Sequence, residues 1–211
     1  MNSGRPEPSS ERPGTGFDAA YYRRFYEGGL VHDERRIGEL MSGILGLAGW
    51  WEIPVRSVLD VGAGLGFVGT WLAAHRPEVR YRGVDVSEWA CREHGHHRAD
   101  IASWRPPRPS DLTVCISVLQ YVPDGRFADA AANLAAGTRH LLYLELPTRR
   151  DRTQVIDPTR TDMTVHWRSG RWYRDRLDPW FEPVGAGLWA RRGAAVPFFE
   201  LEAPGRRTRA R

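Results

Sequence analysis

Residues 57–66 of the chain read Ser57-Val58-Leu59-Asp60-Val61-Gly62-Ala63-Gly64-Leu65-Gly66. The first five residues are mostly apolar, so they predict a short strand buried in a parallel sheet. Three glycines follow directly. A glycine turn after a strand lets a ligand approach the backbone closely and points the N-terminus of the next helix at it. The stretch therefore predicts an α/β fold with a ligand site at this turn.

Strand and helix patterns alternate along the chain on both sides of the turn. Further strands are predicted at residues 80–86, 97–101, 111–119 and 139–146. Helices are predicted mainly over residues 17–49, and then over 67–75, 89–93, 125–136 and 171–177, with Ser87 as an N-cap. Parallel strands connected by helices form a doubly wound sheet with right-handed crossovers.

The C-terminal third has a different pattern. Residues 148–167 are polar and irregular, and two predicted strands at 181–190 and 195–203 flank Arg191-Arg192-Gly193, a hairpin signal. The predicted fold class is therefore α/β, with a doubly wound, seven-stranded, mostly parallel sheet, an antiparallel C-terminal hairpin and one or more N-terminal helices. One domain is predicted over residues 17–203, with a helical lid at about 17–50, between a disordered segment 1–16 and a disordered basic tail 204–211.

Composition excludes several classes of function. The 211 residues suffice for one core, and all 30 basic side chains counted as lysine or arginine are arginine. A Walker P-loop and a pyridoxal Schiff base both need lysine, so neither is possible. The net charge of +4 comes from the arginines of residues 206–211, which makes a nucleic-acid partner unlikely. Two unpaired cysteines and no apolar span predict a cytoplasmic protein without a membrane segment.

Acidic residues surround the glycine turn. Asp60 stands two positions before Gly62, and Asp85 ends the next predicted strand, where a carboxylate can bind a ribose diol. The spacing is G-x-G-x-G, whereas dinucleotide-binding domains use G-x-G-x-x-G, and a pyrophosphate would be repelled by Asp60. The pattern favours a ligand that has a ribose and no phosphate.

Four ordered stretches resemble the motifs of class I SAM-dependent methyltransferases. Residues 58–66 are similar to motif I, residues 83–87 to the acidic motif after it, residues 99–101 to the adenine-contacting loop, and residues 111–121 to motif IV. The resemblance covers about residues 17–203. It implies a Rossmann-like fold, S-adenosylmethionine (SAM) as the cofactor, and methyl transfer as the activity.

The resemblance also implies roles at the methionine end of the cofactor. Gly62 and Gly64 would line the methionine moiety, with Asp60 near its ammonium group. Ser117 or Ile116, in motif IV, would lie beside the sulfonium.

At the nucleoside end, the same family pattern assigns four further positions. Asp85 would bind the ribose hydroxyls, and Val86 would pack on the adenine. Asp100 and Ile101 would hold the adenine amine and ring.

The remaining candidates come from the segments outside these motifs. Tyr21, Tyr22 and Tyr26 precede the sheet where related enzymes close a lid over SAM, although ordinary helix packing explains them equally well. His166 and Glu145 are the candidate general bases, each with a structural alternative. No metal is expected, because the histidines at 94, 96 and 97 lack a familiar ligand spacing.

The acceptor is narrowed mainly by exclusion. Motif IV contains Cys115-Ile116-Ser117-Val118 where N-methyltransferases of amides and bases have Asn/Asp-Pro-Pro-aromatic. We expect a small-molecule acceptor methylated on oxygen or nitrogen, by a monomer or homodimer. Arginines near the expected pocket mouth could admit an acidic substrate: Arg149, Arg150, Arg152 and Arg168. The alternatives are a non-catalytic partner subunit with this fold and an NAD-dependent Rossmann oxidoreductase.

Overall fold

The computed structural model describes residues 16–26, 32–199 and 201–202. Except for Gly16, the segment 1–16 that was predicted to be disordered lies outside the described residues, and so does the predicted tail 204–211. Within the described part, no helix is both long enough and apolar enough to cross a membrane.

Seven strands form one sheet in the order β3-β2-β1-β4-β5-β7-β6. Their bounds are β1 Ser57–Val61, β2 Arg80–Asp85, β3 His97–Arg98, β4 Ser110–Ile116, β5 Thr138–Glu145, β6 Phe181–Gly185 and β7 Leu188–Arg191. The first five strands pair in parallel, and β7 is antiparallel to both of its neighbours. This architecture confirms the predicted seven-stranded, mostly parallel sheet with an antiparallel C-terminal hairpin.

Helices cover both faces of the sheet. They are α1 Ala19–Tyr26, α2 Glu34–Trp50, α3 Phe67–His75, α4 Glu88–His94, α5 Phe127–Gly137, α6 Asp151–Gln154 and α7 Gly170–Leu177. One core cluster joins α2 and α3 to one face, and a second joins α5 and α7 to the other. The central strands β1 and β4 are buried on both faces and therefore mostly apolar, with Asp60 and Asp111 as buried acidic residues.

The hairpin lies earlier in the chain than predicted. Its two strands occupy the predicted strand 181–190 and one further residue, Arg191, and the chain turns between them at Ala186 and Gly187, which have φ values of 48° and 81°. The predicted strand 195–203 is wrong, since residues 195–199 and 201–202 contain no strand. Arg192, part of the supposed turn, instead closes the end of β7 with an ion pair to Asp178 and another to Glu182.

Three other element boundaries also differ from the predictions. The third strand stops at Arg98, because Asp100 begins a tight turn whose N–H groups bond to its carbonyl. The fourth strand stops at Ile116, since Ser117 adopts a φ of 55°. The region predicted to be mainly helical over residues 17–49 contains two helices, α1 and α2, and Asp33 caps the second by accepting a hydrogen bond from the Arg36 N–H.

Candidate functional site

A cavity lies at the carboxyl ends of β1, β2 and β4, under α1. The strand order reverses between β1 and β4, and a crevice at such a reversal is the usual ligand site of a doubly wound sheet. The structure brings together nearly all the residues assigned to the cofactor. Those in the cavity wall are Tyr22, Gly62, Gly64, Asp85, Val86, Asp100, Ile101 and Ser117.

The glycine turn forms the floor of the cavity with bare backbone. Gly62, Gly64 and Gly66 have φ values of 75°, 51° and 75°, a region that side chains with a Cβ rarely adopt. A Cβ on Gly62 would lie 2.1 Å from Val118 Cγ2. The Gly62 N–H donates to the Val84 carbonyl at 2.8 Å, which ties the turn to β2. The sequence therefore places glycine where no side chain fits.

Asp85 is buried at the end of β2, beside the turn. One carboxylate oxygen accepts the Gly64 N–H at 2.9 Å and the other accepts the Ser87 N–H at 2.8 Å. Burial raises the pKa of Asp85, and these two backbone bonds oppose the rise. A carboxylate has about four lone-pair positions, so each oxygen can still accept one bond from a pair of adjacent hydroxyls.

Asp100 and Arg126 form a pair at the other end of the cavity. Asp100 Oδ2 lies 2.9 Å from Arg126 Nη1, while Oδ1 accepts the Ala102 N–H at 2.9 Å. Arg126 was not among the predicted site residues. Its position just before α5 gave no local signal, because the pairing joins residues 26 positions apart.

Asp60 lies behind the glycine turn and is not part of the cavity wall. Its side chain accepts a hydrogen bond from the Tyr81 hydroxyl at 2.9 Å. Burial raises the pKa of Asp60 to about 7, against the lowering effect of that bond. The structure thus separates Asp60 from the residues with which it was grouped, although its charge still lies beneath the turn.

The raised pKa of Asp60 predicts a pH-dependent stability. Since its folded pKa of about 7 lies above its ordinary value of 3.8, the folded state holds the proton more tightly between these values. The stability of the fold therefore decreases as pH rises through this window. We expect the free energy of unfolding of Asp60→Asn, relative to that of the unchanged chain, to increase by on the order of 3 kcal/mol between pH 4 and pH 8. Urea unfolding at the two pH values measures it, and a constant difference would contradict the assignment.

His96 supports the turn from outside. Its Nε2 lies 3.0 Å from the Gly64 carbonyl oxygen, and its ring also limits the space at Gly66 and Gly83. Burial lowers the pKa of His96, which favours a neutral ring. The sequence pattern had raised His96 only as a possible metal ligand. Among the described residues, no group of three or more His, Cys, Asp or Glu side chains could hold a metal ion.

Aromatic rings cover the cavity from the N-terminal side. Tyr22 is buried and stacks on Trp89 with ring centroids 4.9 Å apart. The Phe17 and Tyr21 rings meet edge to face, and both line the cavity with Tyr26. The three tyrosines considered for a lid are therefore wall residues.

Neither candidate base reaches the wall. His166 is exposed, and its backbone N–H donates to the Gln120 carbonyl at 2.9 Å. Glu145 lies one layer behind, with its Oε2 3.4 Å from Ser117 Oγ and 3.5 Å from His32 Nε2.

The arginines considered for an acidic substrate have other contacts. Arg168 is buried, pairs with Asp124 and lies over the Trp172 ring at 4.3 Å. The Arg149 side chain donates a hydrogen bond to the Trp167 carbonyl, and the Arg152 guanidinium lies over the Trp167 ring. None of these residues lines the cavity. The Phe127, Trp172 and Tyr173 rings pack around Arg168, and none of the three lines the cavity.

The chain is similar in sequence to known methyltransferases. No family model matches the chain. It is 34% identical over 83 residues, 35% of its length, to the trans-aconitate 2-methyltransferase of Rhodopseudomonas palustris strain BisB18. It is 29% identical over 163 residues, 72% of its length, to that of Methylobacterium radiotolerans. The matched regions span 32% and 58% of these two relatives.

Solved structures extend the comparison to the fold. Magnesium protoporphyrin IX methyltransferase from Synechocystis PCC 6803, crystallised with bound SAM, superimposes with a TM-score of 0.54 at 19% identity. The superposition covers 84% of this chain and 91% of that one. The chain therefore has the class I, Rossmann-like fold of the SAM-dependent methyltransferases, which confirms the resemblance indicated by the sequence motifs.

Proposed function

We propose that the chain binds SAM in the cavity and transfers its methyl group to a small-molecule acceptor on oxygen or nitrogen. The observation that carries the proposal is the position of Asp85. Its carboxylate is fixed by two backbone N–H groups at the edge of the glycine turn and retains a free position on each oxygen. This arrangement suits a ribose diol next to a chain that runs along bare backbone.

The other walls fit the rest of SAM. The cavity wall carries both apolar and acidic side chains beside the glycine turn. Val86 and Ile101 offer apolar contact to an adenine ring, and Asp100 offers a carboxylate to its amine. SAM would supply an electrophilic methyl group on a sulfonium. The wall residues would orient it and exclude water, so that much of the rate acceleration comes from positioning.

A phosphate-bearing dinucleotide fits the same walls poorly. Among the described wall residues, Arg126 is the one cation, and Asp100 already pairs with it. Asp60 and Asp85 place two carboxyl groups at the turn where a pyrophosphate would lie. These charges favour the cationic cofactor over NAD.

We propose no catalytic part for His166, because it is exposed and outside the wall. Glu145 is better placed to hold Ser117, the positive-φ residue that follows β4. A general base is useful for a hydroxyl acceptor and is not needed for every methyl transfer.

The experiment is to incubate the chain with methyl-tritiated SAM and a low-molecular-weight bacterial metabolite extract. With SAM below saturation, we expect label in a new small molecule, strongly reduced in Asp85→Ala and retained in His166→Ala. If SAM binds and no label moves, the result favours the alternative of a non-catalytic partner subunit with this fold.

A further inference from the structure

The cavity wall that remains for an acceptor contains three hydroxyl-bearing rings among apolar side chains. The glycine turn, Asp85 and the adenine-side residues are assigned to the cofactor under the proposed function. Phe17, Tyr21, Tyr26 and Tyr121 are the aromatic groups left in the wall beside Tyr22. What these tyrosines offer to a ligand depends on how their own protons are used.

The protons are directed by a chain of hydrogen bonds that ends at Asp162. Tyr121 Oη lies 3.1 Å from Asp162 Oδ2, and Tyr21 Oη lies 2.9 Å from Tyr121 Oη. The second Asp162 oxygen accepts bonds from the backbone and hydroxyl of Thr164. An ionised carboxylate only accepts, so Tyr121 donates its one proton to Asp162 and Tyr21 donates its own to Tyr121.

Tyr21 therefore presents lone pairs to the cavity and no proton. Burial raises the pKa of Tyr21 to about 12 and raises that of Tyr121 further, so both phenols keep their protons at neutral pH. With its proton committed to Tyr121, the Tyr21 oxygen can only accept from a ligand.

The charges near the cavity also disfavour a negatively charged acceptor. Asp162 lies behind Tyr121, and Glu145 lies behind Ser117. The described wall contains Arg126 as its one cation, and Arg126 is paired with Asp100. An acceptor carboxylate would meet the Tyr21 lone pairs and nearby negative charge, and the one cation of the described wall is already paired. Desolvating a carboxylate without full compensation costs several kcal/mol or more.

We propose that the acceptor's reacting group is a hydroxyl or an amine that donates a hydrogen bond to Tyr21 Oη, and that this site rejects a carboxylate. The proposal rests on SAM-dependent methyl transfer as the proposed function. Under this proposal the chain does not accept a carboxylate such as trans-aconitate, the acceptor in the names of its sequence relatives.

The proton released in the methyl transfer leaves along the same series of hydrogen bonds. The acceptor oxygen or nitrogen gives a lone pair to the methyl carbon as the sulfur–carbon bonding pair returns to sulfur. The acceptor proton passes to Tyr21, the Tyr21 proton to Tyr121, and the Tyr121 proton to the Asp162 carboxylate, which later releases it to water.

The test measures small probes on the chain saturated with S-adenosylhomocysteine (SAH), whose own binding is measured first by calorimetry. The probes are benzyl alcohol, benzylamine, benzoate and trans-aconitate. We expect the alcohol or the amine to bind at least tenfold more tightly than either acid. Tyr21→Phe should reduce that preference to less than threefold, and Tyr143→Phe, in β5 outside the wall, should leave it unchanged.

The outcomes separate the two levels of the account. An acid that binds as tightly as the alcohol and amine overturns the proposal, and so does an unchanged preference in Tyr21→Phe. Binding of SAH with no binding of any probe also overturns it. Failure of SAH itself to bind would instead overturn the proposed function.

Discussion

Replacing Gly62 with alanine is expected to abolish SAM binding and to destabilise the fold. The new Cβ would lie 2.1 Å from Val118 Cγ2, and the residue would have to keep a φ of 75°. The left-handed conformation costs about 1–2 kcal/mol, and relief of the overlap costs roughly 1–3 kcal/mol. The expected loss is therefore about 2–5 kcal/mol in the free energy of unfolding. SAM affinity should fall more than 100-fold, because the turn must move away from β4.

Two further variants distinguish this effect from a general effect of alanine. Gly46 lies in α2, and a Cβ there meets nothing within 4 Å. Gly46→Ala should therefore stabilise the protein by about 0.5–1 kcal/mol and leave SAM binding unchanged. Adding Val118→Ala to Gly62→Ala removes the overlapping methyl group and should recover part of the stability. Normal SAM binding by Gly62→Ala would contradict the proposed close approach of the cofactor to the turn.

Replacing Asp85 with alanine is expected to weaken SAM binding by about 1.5–3 kcal/mol, the range for hydrogen bonds to a charged group. This corresponds to roughly a 10- to 150-fold increase in Kd. Part of the loss is structural, because the Gly64 and Ser87 N–H groups lose their acceptor. Calorimetric titration of both proteins at pH 7.5 provides the measurement.

Glu88 provides a matched control for Asp85. It lies three residues away at the start of α4, and its carboxylate is exposed and pairs with Arg98. Glu88→Ala should change SAM affinity less than twofold, since exposed pairs contribute little. Equal effects of the two substitutions would show that the loss in Asp85→Ala reflects net charge and not ribose binding.

The central sheet and the cofactor wall could be predicted because their signals are local. A strand, a glycine turn and an acid at the next strand end occur within 29 residues, from Ser57 to Asp85. Each group faces the cavity because the carboxyl ends of parallel strands meet at one edge. Asp60 was the exception, because it was assigned to the cofactor and lies outside the wall. Its side chain leaves a strand buried on both faces, and a sequence pattern does not say that Tyr81 covers it.

The hairpin and the acceptor side could not be predicted in the same way. Gly185-Ala186-Gly187 is a turn signal inside an apolar run, and the second signal at Arg191-Arg192-Gly193 was chosen over it. The chain from Tyr21 through Tyr121 to Asp162 joins residues 100 and 41 positions apart. No local spacing indicates such contacts, so they required the folded structure.

The most direct test of the SAM site is calorimetric titration of the chain with SAH and, separately, with NAD. The walls built by Gly62, Gly64 and Asp85 predict one SAH bound per chain, and no measurable heat of binding for NAD. Binding of NAD, or no binding of SAH to the folded chain, would contradict the account.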